Sequence, residues 1–410
     1  MISATGQSLP TASPEETGLS SARLARIDEV MLEHVRSGRL AGASGLIARN
    51  GKILFRRSWG EFKDDTIVRI WSMGKVITGV AALALFEEGK LSLDDPVSKY
   101  LPEFAQMTVA QQVTDSSGKR IFTTVPAERP ITILDLLRHT SGLSYGGPRD
   151  ETGLRAHEKV GIVGFPPVLP FNLAEFTKRL ATAPLEEQPG TTFHYGRSID
   201  VLGRVIEVLS AKPLDVFLSE KVFEPLGMKD TDFFVPERKW NRLAALYVPA
   251  PGCNAKQQQC RIELAKGPEQ DSFKKKPLNL VAGVGQVSTL DDYARFCMML
   301  LNGGQLNGVR VLGRKTVDLM RQDFLGDRRR VPPLNLDEGS GFGLTVAVER
   351  ASGKTPGLGS EGVYRWYGAN GTYFWIDPAE HLFGIFFSQL PFDTTPAPQQ
   401  FRRMAYAALE

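Results

Sequence analysis

The sequence predicts an α+β fold of α/β-sandwich type. One antiparallel sheet, built from both chain ends, is flanked by helices, and a mostly helical second lobe is inserted between them. Three observations carry this. Sheet-type runs lie near both ends, in "GASGLIARNGKILFRRSWG" (42–60) and "GTYFWIDPAEHLFGIFFSQ" (371–389). Helical patterns sit beside each of these runs. The stretch from 95 to 279 changes character, with Pro, Gly and polar turns separating helical patches such as "ITILDLLRHTSG" and "SIDVLGRVIEVLSAK". The expected division is therefore 1–94 with 280–410 as a discontinuous α/β domain and 95–279 as the insertion. A cleft between two such lobes is a common place for an active site.

The elements follow in order. Residues 20–37 place Leu24, Ile27, Met31 and Val35 on one helical face. The hairpin after them turns at Asn50-Gly51, a strong signal for a two-residue turn. A helix opens near Ser72 and stops at Gly89. "GVGQVSTLDDYARFCMMLLNGG" reads as a helix with Asp291 and Asp292 in its first turn. The second hairpin turns at Asp377-Pro378, and "QQFRRMAYAALE" ends the chain as a helix.

Composition bounds the function. With 410 residues, 42% hydrophobic and 23% charged, the chain has the make-up of a globular protein. A net charge of +3 is too small to imply a nucleic-acid partner, and the runs Lys274-Lys275-Lys276 and Arg328-Arg329-Arg330 lie beside prolines, as solvated loops do. The longest strongly apolar run, Val76 to Phe86, falls short of the roughly 20 residues a membrane span needs. No basic segment followed by an apolar core marks an export signal, so the default location is cytoplasmic, or periplasmic if a leader has been removed. Among three cysteines, Cys253 and Cys260 could pair in an oxidising compartment, and Cys297 reads as a buried helix residue. No Cys/His spacing resembles a metal site.

The candidate chemistry starts at Ser72-Met73-Gly74-Lys75. Residues three apart share a helical face, so hydroxyl and amine can touch. The helix N-terminus directs free N–H groups and positive potential at the serine. Dry apolar flanks disfavour the ammonium form and would let Lys75 accept a proton. The pattern is common: Ser116 to Lys119 and Ser272 to Lys275 also match it, but neither precedes an apolar helix. A Ser-His-Asp triad would need one of the five histidines beside a nucleophilic serine, and His139 and His194 read instead as buried supports of the site.

Further segments recur in a fixed order: "HTSGL", Tyr195 after a Pro-Gly turn, "DVLGRVIEV", "GQVSTLDDYARF" and Trp366-Tyr367-Gly368 before "GTYFWIDP". In their order and spacing, from about Leu24 to the C-terminus, the chain resembles the serine β-lactamase and penicillin-binding-protein superfamily. It looks nearest to the class C β-lactamase-like branch and, within it, to the family VIII carboxylesterases with their Ser-x-x-Lys motif. That resemblance implies a β-lactamase/transpeptidase-like fold and an acyl-enzyme mechanism. Ser72 would be the nucleophile, and Lys75 and Tyr195 would share the general base, Tyr195 as an ionised or proton-relaying phenol. The amides of Ser72 and Ala369 would form the oxyanion hole. Trp366, Tyr367, Gly368 and Arg197 would contact substrate.

Two departures bear on the substrate. Trp366 occupies the place of the lysine in Lys-Thr-Gly, as in the esterase branch; Lys354-Thr355 is followed by Pro356 and lies too far upstream. Tyr195-Gly196-Arg197 replaces Tyr-x-Asn, and Arg197 either attracts a substrate carboxylate or faces solvent. Both point to a neutral carboxylic ester of short to medium acyl length, cleaved without metal or organic cofactor. The alternatives are a β-lactamase or D-alanyl-peptide hydrolase, with cephalosporin turnover as a weak side activity, and a sensor that is acylated without turnover. Oligomeric state is not legible.

Overall fold

The computed structural model describes residues 8–114, 116, 118, 120–148, 155–163, 169–251, 261–331, 336–350, 354, 357–390 and 395–410. Cys253 and Cys260 lie outside the described residues; Cys297 is buried and unpaired in a helix.

Helix α1 (Arg26–Arg36) buries Ile27 and Met31 as its periodicity requires. Val35 is only half-buried, and His34 takes the buried place, with its Nε2 2.6 Å from Gln400 Oε1. Strands β1 (Gly42–Arg49) and β2 (Lys52–Gly60) follow. Asn50 (φ 51°) and Gly51 (φ 77°) between them are both left-handed, which matches the twist of the strands they join. Helix α2 (Gly74–Glu87) is buried at every residue from Gly74 to Leu85, so it is apolar all round rather than amphipathic. Helices α3 (Ser198–Ser210) and α4 (Leu290–Leu301) come next. Thr289 caps α4 by accepting from the Asp292 N–H. Strands β3 (Ser340–Phe342), β4 (Ala347–Glu349), β5 (Tyr364–Gly368), β6 (Thr372–Asp377) and β7 (Leu382–Phe387) precede the last helix, α5 (Ala397–Ala407).

The seven strands form one antiparallel sheet in the order β3-β4-β5-β6-β7-β1-β2, so β7 pairs with β1 and the sheet joins both chain ends. Its central strands are buried on both faces. Side-chain alternation then sorts them. Ile47, Tyr373, Trp375 and Phe386 face α1 and α5, where Phe401 inserts its ring among Phe55, Trp59, Trp375 and Phe386. Leu46, Phe374, Ile376, Ile385 and Phe387 face α2 and α4. The carboxylate of Asp377 closes the β6–β7 turn by accepting from the amides of Ala379 and Glu380, and it also takes the Tyr406 hydroxyl at 2.9 Å, which anchors α5.

The residues between are less uniformly helical than expected. Thr108–Thr114 pairs with Arg120–Pro126 in a two-stranded hairpin, and Tyr247–Pro249 pairs with Ile262–Leu264. The first is rich in Thr and Val, which favour extended backbone. Among the described residues no helix is long and apolar enough to cross a membrane.

One buried arginine sets the approach to Ser72. Val68–Arg69 pairs with Val287–Ser288. The Arg69 guanidinium, fully buried, donates to the carbonyls of Ala244 (2.9 Å) and Gln270 (2.8 Å), while its backbone N–H donates to Gln389 Oε1 (3.0 Å). It ties the strand ahead of Ser72 to segments far away in sequence.

Phe401→Ala leaves a cavity between the sheet and α5, and large-to-small changes of this kind cost about 3–5 kcal/mol. Urea denaturation should show that loss as a lower midpoint with an unchanged m-value. A variant as stable as the wild type would mean that the helix layer carries little of the fold.

Candidate active site

The site is assembled from five stretches of chain. Ser72 lies on a single 3-10 turn, Trp71–Met73, directly before α2, rather than on the first α-helical turn as the sequence suggests. Trp71 has φ 49°, a left-handed conformation in which bulky residues are rarely found. The turn is held on both sides. The Ile70 N–H donates to the Gln286 carbonyl (3.1 Å), and Thr372 Oγ1 donates to the Ile70 carbonyl (3.2 Å). Gly368 packs so closely on this turn that a Cβ there would lie 2.3 Å from the Ile70 oxygen. Its neighbour Ala369 packs with Trp71, Val281 and Val284.

The second stretch is 139–145, which runs beside 194–197. His194 N–H donates to the His139 carbonyl and Arg197 N–H to the Leu143 carbonyl, each at 2.9 Å. Ser144 bridges to Gly196, where a Cβ would meet the Leu143 oxygen at 2.1 Å. This glycine allows the two backbones to touch, and so places Tyr145 and Tyr195 with ring centroids 5.7 Å apart. The turn 281–285 and the β5–β6 edge complete the site.

Lys75 is at the centre, 1% exposed, while Ser72 is 7% exposed. The amine lies 3.1 Å from Ser72 Oγ, 2.9 Å from the Tyr145 hydroxyl and 2.7 Å from the Gly283 carbonyl. Burial depresses its pKa to about 7; Asp200 opposes this and Arg197 adds to it. The carbonyl of Gly283 can only accept. A neutral amine would therefore donate to it and offer its lone pair to a hydroxyl from Ser72 or Tyr145.

Tyr195 lies with its ring centroid 4.8 Å from the lysine nitrogen, and its hydroxyl accepts from the Trp366 indole N–H at 3.2 Å. Hydrogen bonding links both phenols to the Ser72 hydroxyl. Burial pushes the pKa of Tyr195 well above 10, which favours the proton-relaying phenol over the ionised one. Burial raises Tyr145 likewise.

Ser72, Lys75, Tyr195 and Ala369 thus come together, whereas the expected substrate contacts need correction. Trp366 is 1% exposed, packed between Tyr195, Phe342 and Tyr367, and it orients the Tyr195 hydroxyl instead of presenting a wall to substrate. Gly368 serves close packing on Ile70. Arg197, 3% exposed, neither faces solvent nor waits for a carboxylate: it pairs with Asp200 at 3.4 Å and stacks over the Tyr145 ring. At this edge Tyr367 and Ala369 remain half-buried and open to contact.

Sequence reasoning missed Tyr145 and Gly283. Tyr145 stands at the end of "HTSGLSY", and its position after that motif was the available signal. Gly283 contributes a backbone carbonyl, for which no side chain speaks. His139 packs its ring on Tyr195 at 4.4 Å, and among the described residues its Nδ1 meets no hydrogen-bond partner; His194 lies 3.3 Å from Glu186.

A family model described as Beta-lactamase matches residues 27–409. Protein Rv1367c of Mycobacterium tuberculosis is 34% identical over 368 residues, which cover 86% of each chain. Esterase EstB of Burkholderia gladioli is 36% identical over 233 residues, 55% of each chain. Among solved structures, EstCE1, described as a hydrolase with promiscuous acyltransferase activity, superposes with a TM-score of 0.75 at 26% identity over 94% of this chain and 99% of its own.

Trp366→Phe keeps an aromatic ring but removes the donor to Tyr195. The net value of one such bond is about 1 kcal/mol, so labelling of Ser72 by a fluorophosphonate should slow about fivefold. An unchanged rate would mean that the indole does not orient the phenol.

Proposed function

This chain belongs to the beta-lactamase family, and we propose that within it the protein is a serine hydrolase that cleaves carboxylic esters of short to medium acyl length. The observation that carries this reading is the desolvated Lys75 amine, 3.1 Å from Ser72 Oγ and with a pKa near 7. Near neutrality such an amine is substantially unprotonated and can take the serine proton, which a surface lysine cannot.

The reaction proceeds in two covalent steps. Ser72 attacks the ester carbonyl as its proton passes to Lys75. The oxyanion is held by the amides of Ser72 and Ala369 as the tetrahedral adduct forms. Tyr195, a neutral phenol, protonates the leaving alcohol and is reprotonated from Lys75, and the acyl group stays on Ser72. Water then repeats the sequence and releases the acid. Tyr145 shares the lysine amine and supplies a second phenolic proton to the same network.

The substrate class follows from charge. No lysine stands at Trp366-Tyr367-Gly368, Arg197 is paired with Asp200, and Arg365 is paired with Asp337 and Glu349. These cations are not on offer to an anionic lactam. The names of EstB and EstCE1 support the esterase reading. A lactam or D-alanyl-peptide substrate would use the same acyl-serine chemistry, and a protein of Escherichia coli named as a putative D-alanyl-D-alanine carboxypeptidase is 26% identical over 96% of this chain.

Ser72→Ala should lower turnover of p-nitrophenyl acetate by at least about 10⁴-fold, as loss of a catalytic serine does, with the melting temperature maintained. Rates on p-nitrophenyl acetate, p-nitrophenyl octanoate and nitrocefin should rank the esters above the lactam. Fast nitrocefin turnover would overturn the substrate class, and a stoichiometric burst alone would indicate an acylated sensor. Below a pH of about 7 the ammonium form of Lys75 cannot accept a proton, so kcat/KM should fall about tenfold per unit on the acid side. A rate that stays level down to acidic pH would remove Lys75 from the role of base.

A further inference from the structure

The Arg197–Asp200 pair lies buried behind the lysine, and the reaction scheme makes no use of it. Both residues sit at the N-terminal end of α3, each 3% exposed at the side chain. One oxygen of Asp200 takes the Gly283 N–H at 2.8 Å, and the other lies 3.4 Å from Arg197. Gly283 in turn gives its carbonyl to Lys75 at 2.7 Å. A Cβ built on Gly283 would fall 3.0 Å from the lysine nitrogen and 3.1 Å from the Asp200 oxygen, so the glycine is held between the amine and the carboxylate. The carboxylate therefore stands close to Lys75 without touching it. The guanidinium is 5.1 Å above the ring of Tyr145, whose hydroxyl bonds the same amine.

We propose that Asp200 and Arg197 act together as positioning residues for the Lys75 amine. Asp200 fixes the glycine that receives it, and Arg197 balances the carboxylate so that its charge does not hold a proton on the lysine. This rests on the reading of Lys75 as the base. An unbalanced carboxylate at this distance in a dry site favours the ammonium form strongly. The other groups facing the amine are Ser72 from its own turn, His139 and Tyr145 from the 139–145 segment, and Tyr195. Of these, His139 is held neutral by burial and both phenols are held neutral by burial, so Asp200 and Arg197 are the charged pair among them.

The test is the pH dependence of kcat/KM for p-nitrophenyl acetate. Asp200→Asn keeps an oxygen for the Gly283 amide but removes the charge, and the acidic limb should move down by about one pH unit. Arg197→Met should move it up by about one unit, with the alkaline plateau approached again once the lysine is deprotonated. The double variant should return the limb to within a few tenths of a unit of the wild type. Uniform loss of rate with the limb in place in both single variants would overturn the proposal and leave the pair a packing feature. If Arg197→Met fails to melt cooperatively, Asp200→Asn decides alone, its limb moving down or not. Ser72→Ala run alongside separates the two levels. Residual turnover there defeats the hydrolase reading itself, whereas a dead Ser72→Ala with fixed limbs defeats only the role of this pair.

Discussion

The site depends on keeping a lysine dry. An amine enclosed by apolar helix neighbours and two phenols loses the water that would stabilise its charge, and among the described residues no carboxylate makes contact with it to restore that charge. The helix that carries it is correspondingly unusual: α2 is buried all round from Gly74 to Leu85, so the fold wraps this element on every side. The sheet covers it from one direction, and α3, with the 281–285 turn, from another. Of these, the 281–285 turn also supplies a hydrogen-bond partner, the carbonyl of Gly283, so there enclosure and chemistry are one arrangement.

Around that amine the aromatic residues divide the work by depth. Tyr145 and Tyr195 reach the reacting atoms, and Trp366 stands behind Tyr195 and aims it. Phe342 and Phe193 lie further back, in contact with Trp366 and His139. This layering leaves little freedom to the phenol. It also explains why a motif that looks like a binding surface in sequence serves as a scaffold in three dimensions.

The legible parts of the sequence were the local ones. Asn50-Gly51 announces its hairpin because two adjacent left-handed residues suit few other sequences, and the Ser72–Lys75 spacing announces a contact because three residues span one turn. Tyr195 needed the wider pattern of motifs, since no local rule brings a residue of the insertion to α2. Other features were hidden for identifiable reasons. Alternation along β5 says that Trp366 and Tyr367 face opposite ways, but only the register with β6 says which of them turns inward. The left-handed Trp71 carries no compositional sign, because strain at such a residue is imposed by its surroundings. Arg197 read as a cation open to a substrate carboxylate or to solvent because arginine seldom lies this deep without a carboxylate, and Asp200, one helical turn along, was that carboxylate.

The seam between β1 and β7 joins the two ends of the chain. During synthesis the first hairpin must therefore wait, one long edge unpaired, until nearly all of the polypeptide has left the ribosome. Contacts of such sequence separation form slowly, and waiting strand edges invite wrong partners. The same delay has another side: residues 68–69 dock on 287–288 and residue 70 on 372, so the turn that carries Ser72 is held only when the whole molecule is in place. A truncated or stalled product would carry Ser72 without the surroundings that hold its turn.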